Sequence, residues 1–206
     1  MSVVALVLAA GTGTRMGRPK QLLPVGGRPM LQHAIDAATA GGLGEVVVVL
    51  GHAAGEVLAA IVLPPGARTV VNDRHAGGRG GGLAAGGAGG PADAAAARGL
   101  RGARPGARPD AIGAVVAARR PGGPAMLRAA YRGRPGHPVL LERALWPQAM
   151  DLRGEGGGRV LAARDPGALG LVEVGGNPPE DVDTPADHDR LRSRWEGGAG
   201  GGAPPC

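Results

Sequence analysis

Residues 8–24 read LAAGTGTRMGRPKQLLP, between the apolar run 3–7 (VVALV) and the helix-spaced stretch 30–40 (MLQHAIDAATA). A buried strand that opens into glycines, threonines and cations, and then into a helix, is how an α/β protein builds an anion pocket from backbone N–H groups. The loop therefore reads as a phosphate cradle formed by Leu8, Ala9, Ala10, Gly11, Thr12, Gly13 and Thr14, with Arg15 and Lys20 supplying charge. Of the 23 Lys and Arg residues, Lys20 is the only lysine. A chain that otherwise spells its cations as arginine keeps a compact ammonium here, suited to phosphate as a point charge.

Working outward, residues 3–8 are β-branched-rich and unbroken, as expected of a strand buried on both faces of a parallel sheet. Residues 30–40 follow Pro29, carry apolar side chains at helical spacing and stop at Gly41 and Gly42. Residues 45–50 (EVVVVL) predict a second strand, 56–62 a short helix and 68–71 a third strand. This alternation predicts a doubly wound, Rossmann-like three-layer α/β fold with a mostly parallel central sheet. Further on, the pattern predicts a helix over 110–120, a strand over 125–131, a loop over 132–138, helices over 142–153 and 158–164, a strand over 169–174 and a helix over 185–195. Residues 73–108 are rich in Gly, Ala and Arg and predict neither helix nor buried strand, with Arg98 and Arg101 awkward inside a sheet. One domain over 1–195 and a disordered tail over 196–206 are expected.

With 41 glycines, 19 prolines, no Phe, one Tyr and two Trp, the core must rest on Val, Leu and Ala. The net charge of +6 is scattered and lacks aromatic side chains to stack on bases, so small anions are expected rather than nucleic acid. Cys206 is the single cysteine, which excludes a disulfide framework, and no run of 18 apolar residues marks a membrane span. A cytoplasmic protein with no membrane partner is expected.

Gly11, Gly13 and Gly17 are one residue too widely spaced for the dinucleotide fingerprint, and Leu50 is followed by Gly51 and His52 rather than an acid for a ribose hydroxyl. Gln21 after Lys20 also breaks the Walker pattern. The stretch LAAGTGTRMGRPKQLLPVGGRPML instead resembles the nucleotidyltransferase superfamily with an L-A-A-G-x-G-x-R-M-G signature followed by Pro-Lys. Residues 132–141 (RGRPGHPVLL), 152–161 (LRGEGGGRVL) and 181–187 (DVDTPAD) narrow the likeness to the molybdenum cofactor cytidylyltransferase family.

That resemblance implies a nucleotidyltransferase fold and transfer of CMP from CTP to the terminal phosphate of molybdopterin, with release of pyrophosphate. It implies catalytic roles for Arg15 and Lys20, and a Mg²⁺ ion on Asp183 with Asp181 as the alternate. His137 in Gly-His-Pro is implied at the acceptor, and Glu155 and Arg159 fall in the family's L-R-G-D-x-G-x-R pattern. The implied partner is a molybdopterin-type phosphorylated small molecule, with a molybdenum enzyme or its chaperone as recipient. An acceptor of another kind, or a protein that binds nucleotide without turnover, are the alternatives.

The likeness breaks in one place. Where the family places the Asp of a V-L-L-G-D-Q-P strand, its principal metal ligand, residues 99–105 read GLRGARP, so Ala103 replaces the Asp and Arg104 the Gln. The family's serine-rich turn is reduced to Gly80-Gly81-Gly82-Leu83. Divergence to a binding protein, a frame slip in a GC-rich gene, and substitution by Asp93 or Asp110 are the three readings of this stretch. Loss of a Mg²⁺ ligand predicts impaired turnover with nucleotide binding retained.

Overall fold

The computed structural model describes residues 2–11, 16–73, 85, 96–101, 104–151 and 158–197. In chain order the elements are β1 (Val3–Ala9), β2 (Pro24–Val25), β3 (Arg28–Pro29), α1 (Met30–Ala40), β4 (Glu45–Leu50), α2 (Ala54–Ala59), β5 (Arg68–Val71), β6 (Ala96–Arg101), α3 (Pro109–Ala117), β7 (Met126–Tyr131), β8 (Arg134–Glu142), α4 (Trp146–Met150), α5 (Gly158–Arg164), β9 (Leu169–Glu173) and α6 (Pro185–Gly197). The main sheet is ordered β5-β4-β1-β6-β8-β7-β9, and β2 pairs with β3 in a separate hairpin. Every strand of the main sheet runs the same way except β8, which is antiparallel to both β6 and β7. The mostly parallel α/β sheet expected from the sequence is present.

Strand periodicity sorts the core into two faces. Ala5, Val7 and Ala9 of β1 join Val46, Val48 and Leu50 of β4 under Leu31, Ala34, Ile35 and Ala38 of α1. The alternate residues Val4, Leu6, Val47 and Val49 face the other way, onto Trp146 and Ala149 of α4 and Leu161 of α5. Helix α3 covers the β7–β8 half through Val115 against Leu127, Ala129 and Leu140. Helices on both faces of one sheet make the three layers.

Three sequence expectations are corrected. Residues 96–101 form a strand, β6, in the middle of the sheet between β1 and β8. Ladder hydrogen bonds are backbone bonds, so two flanking strands can hold a Gly- and Arg-containing segment that its own propensity would not. The expected loop over 132–138 shrinks to the two-residue turn Arg132-Gly133, and β8 starts at Arg134. Both turn residues have positive φ, 53° and 75°, the hairpin geometry that matches strand twist. The Glu173 carboxylate accepts from both turn amides, at 2.7 Å from Arg132 N and 3.0 Å from Gly133 N. The single helix expected over 142–153 is a 3-10 turn at Arg143–Leu145 followed by α4, because Pro147 favours a fresh first turn. Smaller shifts are that α2 starts at Ala54, α3 ends at Ala117 and α6 runs on to Gly197.

Candidate nucleotide-binding site

The chain passes from β1 outward to β4 and β5, then returns to the other side of β1 as β6. Strand order therefore reverses between β1 and β6, and the crevice at the carboxyl ends of such a pair is where open α/β sheets bind ligands. Leu8 and Ala9 end β1 there, with Ala10 and Gly11 following. Thr12, Gly13, Thr14 and Arg15 lie outside the described residues. The far end of the loop is tied back to the strand by Gln21, 3% exposed, whose Nε2 donates to the Ala9 carbonyl at 3.2 Å. Gln21 belongs to the 3-10 turn Lys20–Leu22, so this one hydrogen bond fixes Lys20 relative to the end of β1.

Lys20 meets the other end of the chain. Its Nζ donates to Asp183 Oδ1 at 2.7 Å and to the Val182 carbonyl at 3.2 Å. Three contacts hold residues 182–195 in place for this. Val182, Leu191 and Trp195 pack with Leu23, Val25 and Met30. His188 Nε2 lies 2.8 Å from the Pro24 carbonyl, and His33 Nε2 lies 2.8 Å from the Val25 carbonyl while its ring sits 4.9 Å from that of Trp195. The hairpin β2–β3 turns at Gly26 and Gly27, both at positive φ, and Gly26 lies so close to Trp195 that an added Cβ would stand 2.8 Å from its Nε1.

Thr184 and Asp187 start α6 as a reciprocal cap. Thr184 Oγ1 accepts from Asp187 N at 3.2 Å, and Asp187 Oδ2 accepts from Thr184 N at 2.8 Å, Thr184 Oγ1 at 2.8 Å and Asp183 N at 3.2 Å. The Thr184 hydroxyl first, and then these backbone amides, lower the Asp187 pKa to about 2. DVDTPAD thus does two jobs: Asp187 begins a helix while Asp183 faces Lys20.

On the β6 side, Arg104 Nε and Nη2 donate to Asp181 Oδ1 and Oδ2 at 2.7 and 2.5 Å. His137 lies on β8, whose start is level with the carboxyl ends of its neighbours, and its carbonyl accepts from Tyr131 OH at 2.6 Å. The His137-Pro138 peptide is cis. Its ring is not among the side chains that reach Lys20 or Asp183.

A family model for the MobA-like NTP transferase domain matches residues 5–168. The chain belongs to this family. The MobA-like chain is 35% identical over 199 residues to a nicotine blue oxidoreductase of Paenarthrobacter nicotinovorans, covering 92% of this chain and 96% of that protein. Its fold is similar to the crystal structure of the Mycobacterium tuberculosis Rv0371c homologue from Mycobacterium sp. strain JC1, at a TM-score of 0.85 and 30% identity over 94% of this chain and 96% of that one. It is similar too to Rv0371c of Mycobacterium tuberculosis H37Rv crystallised in complex with manganese, at 0.81 and 28% over 94% and 99%. MobA-like proteins are nucleotidyltransferases acting on small phosphorylated molecules.

Among the described residues no three His, Cys, Asp or Glu side chains converge on a point that could hold a metal ion. Asp183 is the partner of Lys20 and Asp181 of Arg104, so both expected carboxylates face side-chain cations. The described residues do not by themselves build a metal site. Asp110 is no substitute, because it is exposed at the start of α3 and paired with Arg108, whose side chain is the main cause of its lowered pKa. Asp93, Ala103 and Glu155, and the side chain of Arg159, lie outside the described residues. No helix among them is long and apolar enough to cross a membrane.

Sequence reasoning missed three residues that shape the site. As sequence, Gln21 is a break in the Walker pattern and Arg104 a replaced Gln. Trp195 gave a signal that could have been used: a Trp in a chain with so few aromatic residues marks a packing centre.

Proposed function

We propose that this chain is a cytidylyl-type nucleotidyltransferase that receives the triphosphate of CTP at the carboxyl end of β1 and hands CMP to a phosphorylated, molybdopterin-type acceptor. The observation that carries the reading is the Lys20–Asp183 pair, two signature residues 163 positions apart meeting at the β1–β6 switch point. In the reaction, an acceptor phosphate oxygen forms a bond to the α-phosphorus, the bond from that phosphorus to the bridging oxygen breaks, and pyrophosphate leaves with the electron pair. Little covalent work falls to the protein, and charge neutralisation and alignment supply the acceleration. Asp183 holds the Lys20 ammonium in place until a phosphate replaces it, so the cation is already positioned when the substrate arrives. The amides of residues 10–14 and the Arg15 guanidinium are the further phosphate ligands in this reading, and Asp183 is the carboxylate that would meet a Mg²⁺ brought in with the nucleotide. His137 is assigned to the acceptor side. The preference for CTP rests on the Ala9-Ala10-Gly11 resemblance. We place the reaction in the cytoplasm, in one domain over 1–195, with a molybdenum enzyme or its chaperone receiving the product.

Transfer of label from α-labelled CTP to molybdopterin, with stoichiometric pyrophosphate, tests this. Absence of transfer with CTP and GTP alike, in the presence of Mg²⁺, would refute it. A second reading, an oxidoreductase on this fold, is favoured by the name of the relative that matches 92% of the chain. Thermal-shift titration with CTP, GTP and NAD, each with and without Mg²⁺, separates the two: stabilisation by NAD alone supports the second reading.

A further inference from the structure

The strand register sets Leu8 of β1 level with Arg101 of β6, so the chain leaves both strands at one edge of the sheet, on the two sides of the switch point. From β1 it leads to Lys20, and from β6 to Arg104. Both cations end on the same short segment. Arg104 takes both oxygens of Asp181, and its Nη1 donates to the Pro179 carbonyl at 3.4 Å. Lys20 takes Asp183 and the Val182 carbonyl. Val182 between them is 1% exposed, locked in the Trp195 cluster. Residues two apart span at most about 7 Å of chain, so the two cations are moored to neighbouring points.

The Arg104 side chain is 14% exposed. A guanidinium has five N–H donors, and the three acceptor contacts above leave Nη1 and Nη2 one hydrogen each with no acceptor among the described residues. The planar N–H donors of a guanidinium match phosphate oxygens in a fixed geometry. A carboxylate clasping the adjacent Nε–Nη2 edge removes the rotamer freedom that such binding would otherwise cost.

We infer that Arg104 is a phosphate-binding residue of this site: Asp181 grips its Nε and Nη2, and the remaining Nη1 and Nη2 hydrogens receive phosphate oxygens across the crevice from Lys20. This rests on the nucleotide-binding reading above. It makes Arg104 a side-chain cation on the β6 side of a crevice where the described residues build no metal site.

The test is calorimetric titration in EDTA of the wild type, Arg104→Gln, Arg104→Lys and Lys20→Gln with CTP, inorganic tripolyphosphate and phenyl phosphate. Arg104→Gln is expected to weaken CTP and tripolyphosphate binding tenfold or more, the size of one charged hydrogen-bonded contact. Arg104→Lys keeps the charge but loses the fork, and should recover only part of the affinity. A loss confined to phenyl phosphate assigns the same role to the acceptor's phosphate rather than the nucleotide's. Undiminished affinity of Arg104→Gln, beside a clear loss in Lys20→Gln, reduces Arg104 to a structural pin and overturns the inference while the site stands. If Arg104→Gln does not fold, unchanged affinity in Arg104→Lys overturns it equally. No binding of CTP to the wild type removes the nucleotide reading itself.

Discussion

Replacing Gly26 by alanine should loosen the Trp195 cluster that holds Val182 beside Lys20, without touching any residue proposed to bind substrate. Two costs combine. Gly26 has φ +54°, a conformation that costs an L-residue about 1–2 kcal/mol. The new methyl would also stand 2.8 Å from Nε1 and 2.9 Å from Cδ1 of Trp195. That ring cannot swing away cheaply, since it is buried with Leu191, Val25 and Met30 and packs on His33. Overpacking of this kind costs about 1–3 kcal/mol. Gly27 is the control: it has φ +74° but nothing within 4 Å of an added Cβ. The difference between Gly26→Ala and Gly27→Ala is then the packing cost alone, roughly 2–12 °C in Tm for a chain of this size. Thermal unfolding of both variants, and of each in a Trp195→Ala background, measures it. In that background the two glycine substitutions should cost the same. Equal Tm losses in the background that keeps Trp195 would refute the reasoning, because the contact with the hairpin would then carry no strain.

Lys20→Gln should weaken CTP binding by about one to two orders of magnitude, the range for a charged hydrogen bond, as read by calorimetry. Gln21→Leu leaves the Ala9 carbonyl without its buried donor and should cost about 1–3 kcal/mol in urea unfolding, with an unchanged midpoint as the contrary result. Asp187 has a folded pKa of about 2 against an ordinary 3.8, so it stabilises the fold above 3.8 and that contribution is lost as pH falls through about 2. Asp187→Asn should therefore be less stable than wild type at pH 6 and nearly equal to it near pH 2, compared by denaturant midpoints. Thr184→Ala should lower stability by about 0.5–2 kcal/mol through loss of the α6 cap, measured at neutral pH.

The parts of the fold legible in the sequence are those where two signals agree. Helix α1 starts after Pro29 and stops at Gly41 as read, because apolar spacing and breakers mark the same residues. Strands β4 and β5 also keep their expected ends. β6 was not legible, since its place comes from the ladders of β1 and β8 rather than from its own Gly- and Arg-containing sequence. β8 was hidden by Pro135 and Pro138, residues that usually end strands but are accommodated here beside a register shift in the pairing with β7. Lys20 and Asp183 were each named from motifs, yet only the packing of Trp195 on the hairpin explains how they come within 2.7 Å. Arg104 could be seen only as a departure, because its meaning lies in Asp181, 77 residues away.

The contact between Lys20 and Asp183 joins residues 163 positions apart in a chain of 206, and this bears on how the protein is made. During synthesis at roughly 5–20 residues per second, β1 and its loop leave the ribosome many seconds before DVDTPAD exists. Throughout that interval Lys20 lacks its carboxylate partner and Leu23, Val25 and Met30 lack the cover of Leu191 and Trp195. A nascent chain stalled before residue 179 would hold its sheet strands and a sticky, half-built hairpin. The last helix is therefore the step that both finishes the apolar packing and gives Lys20 its carboxylate partner.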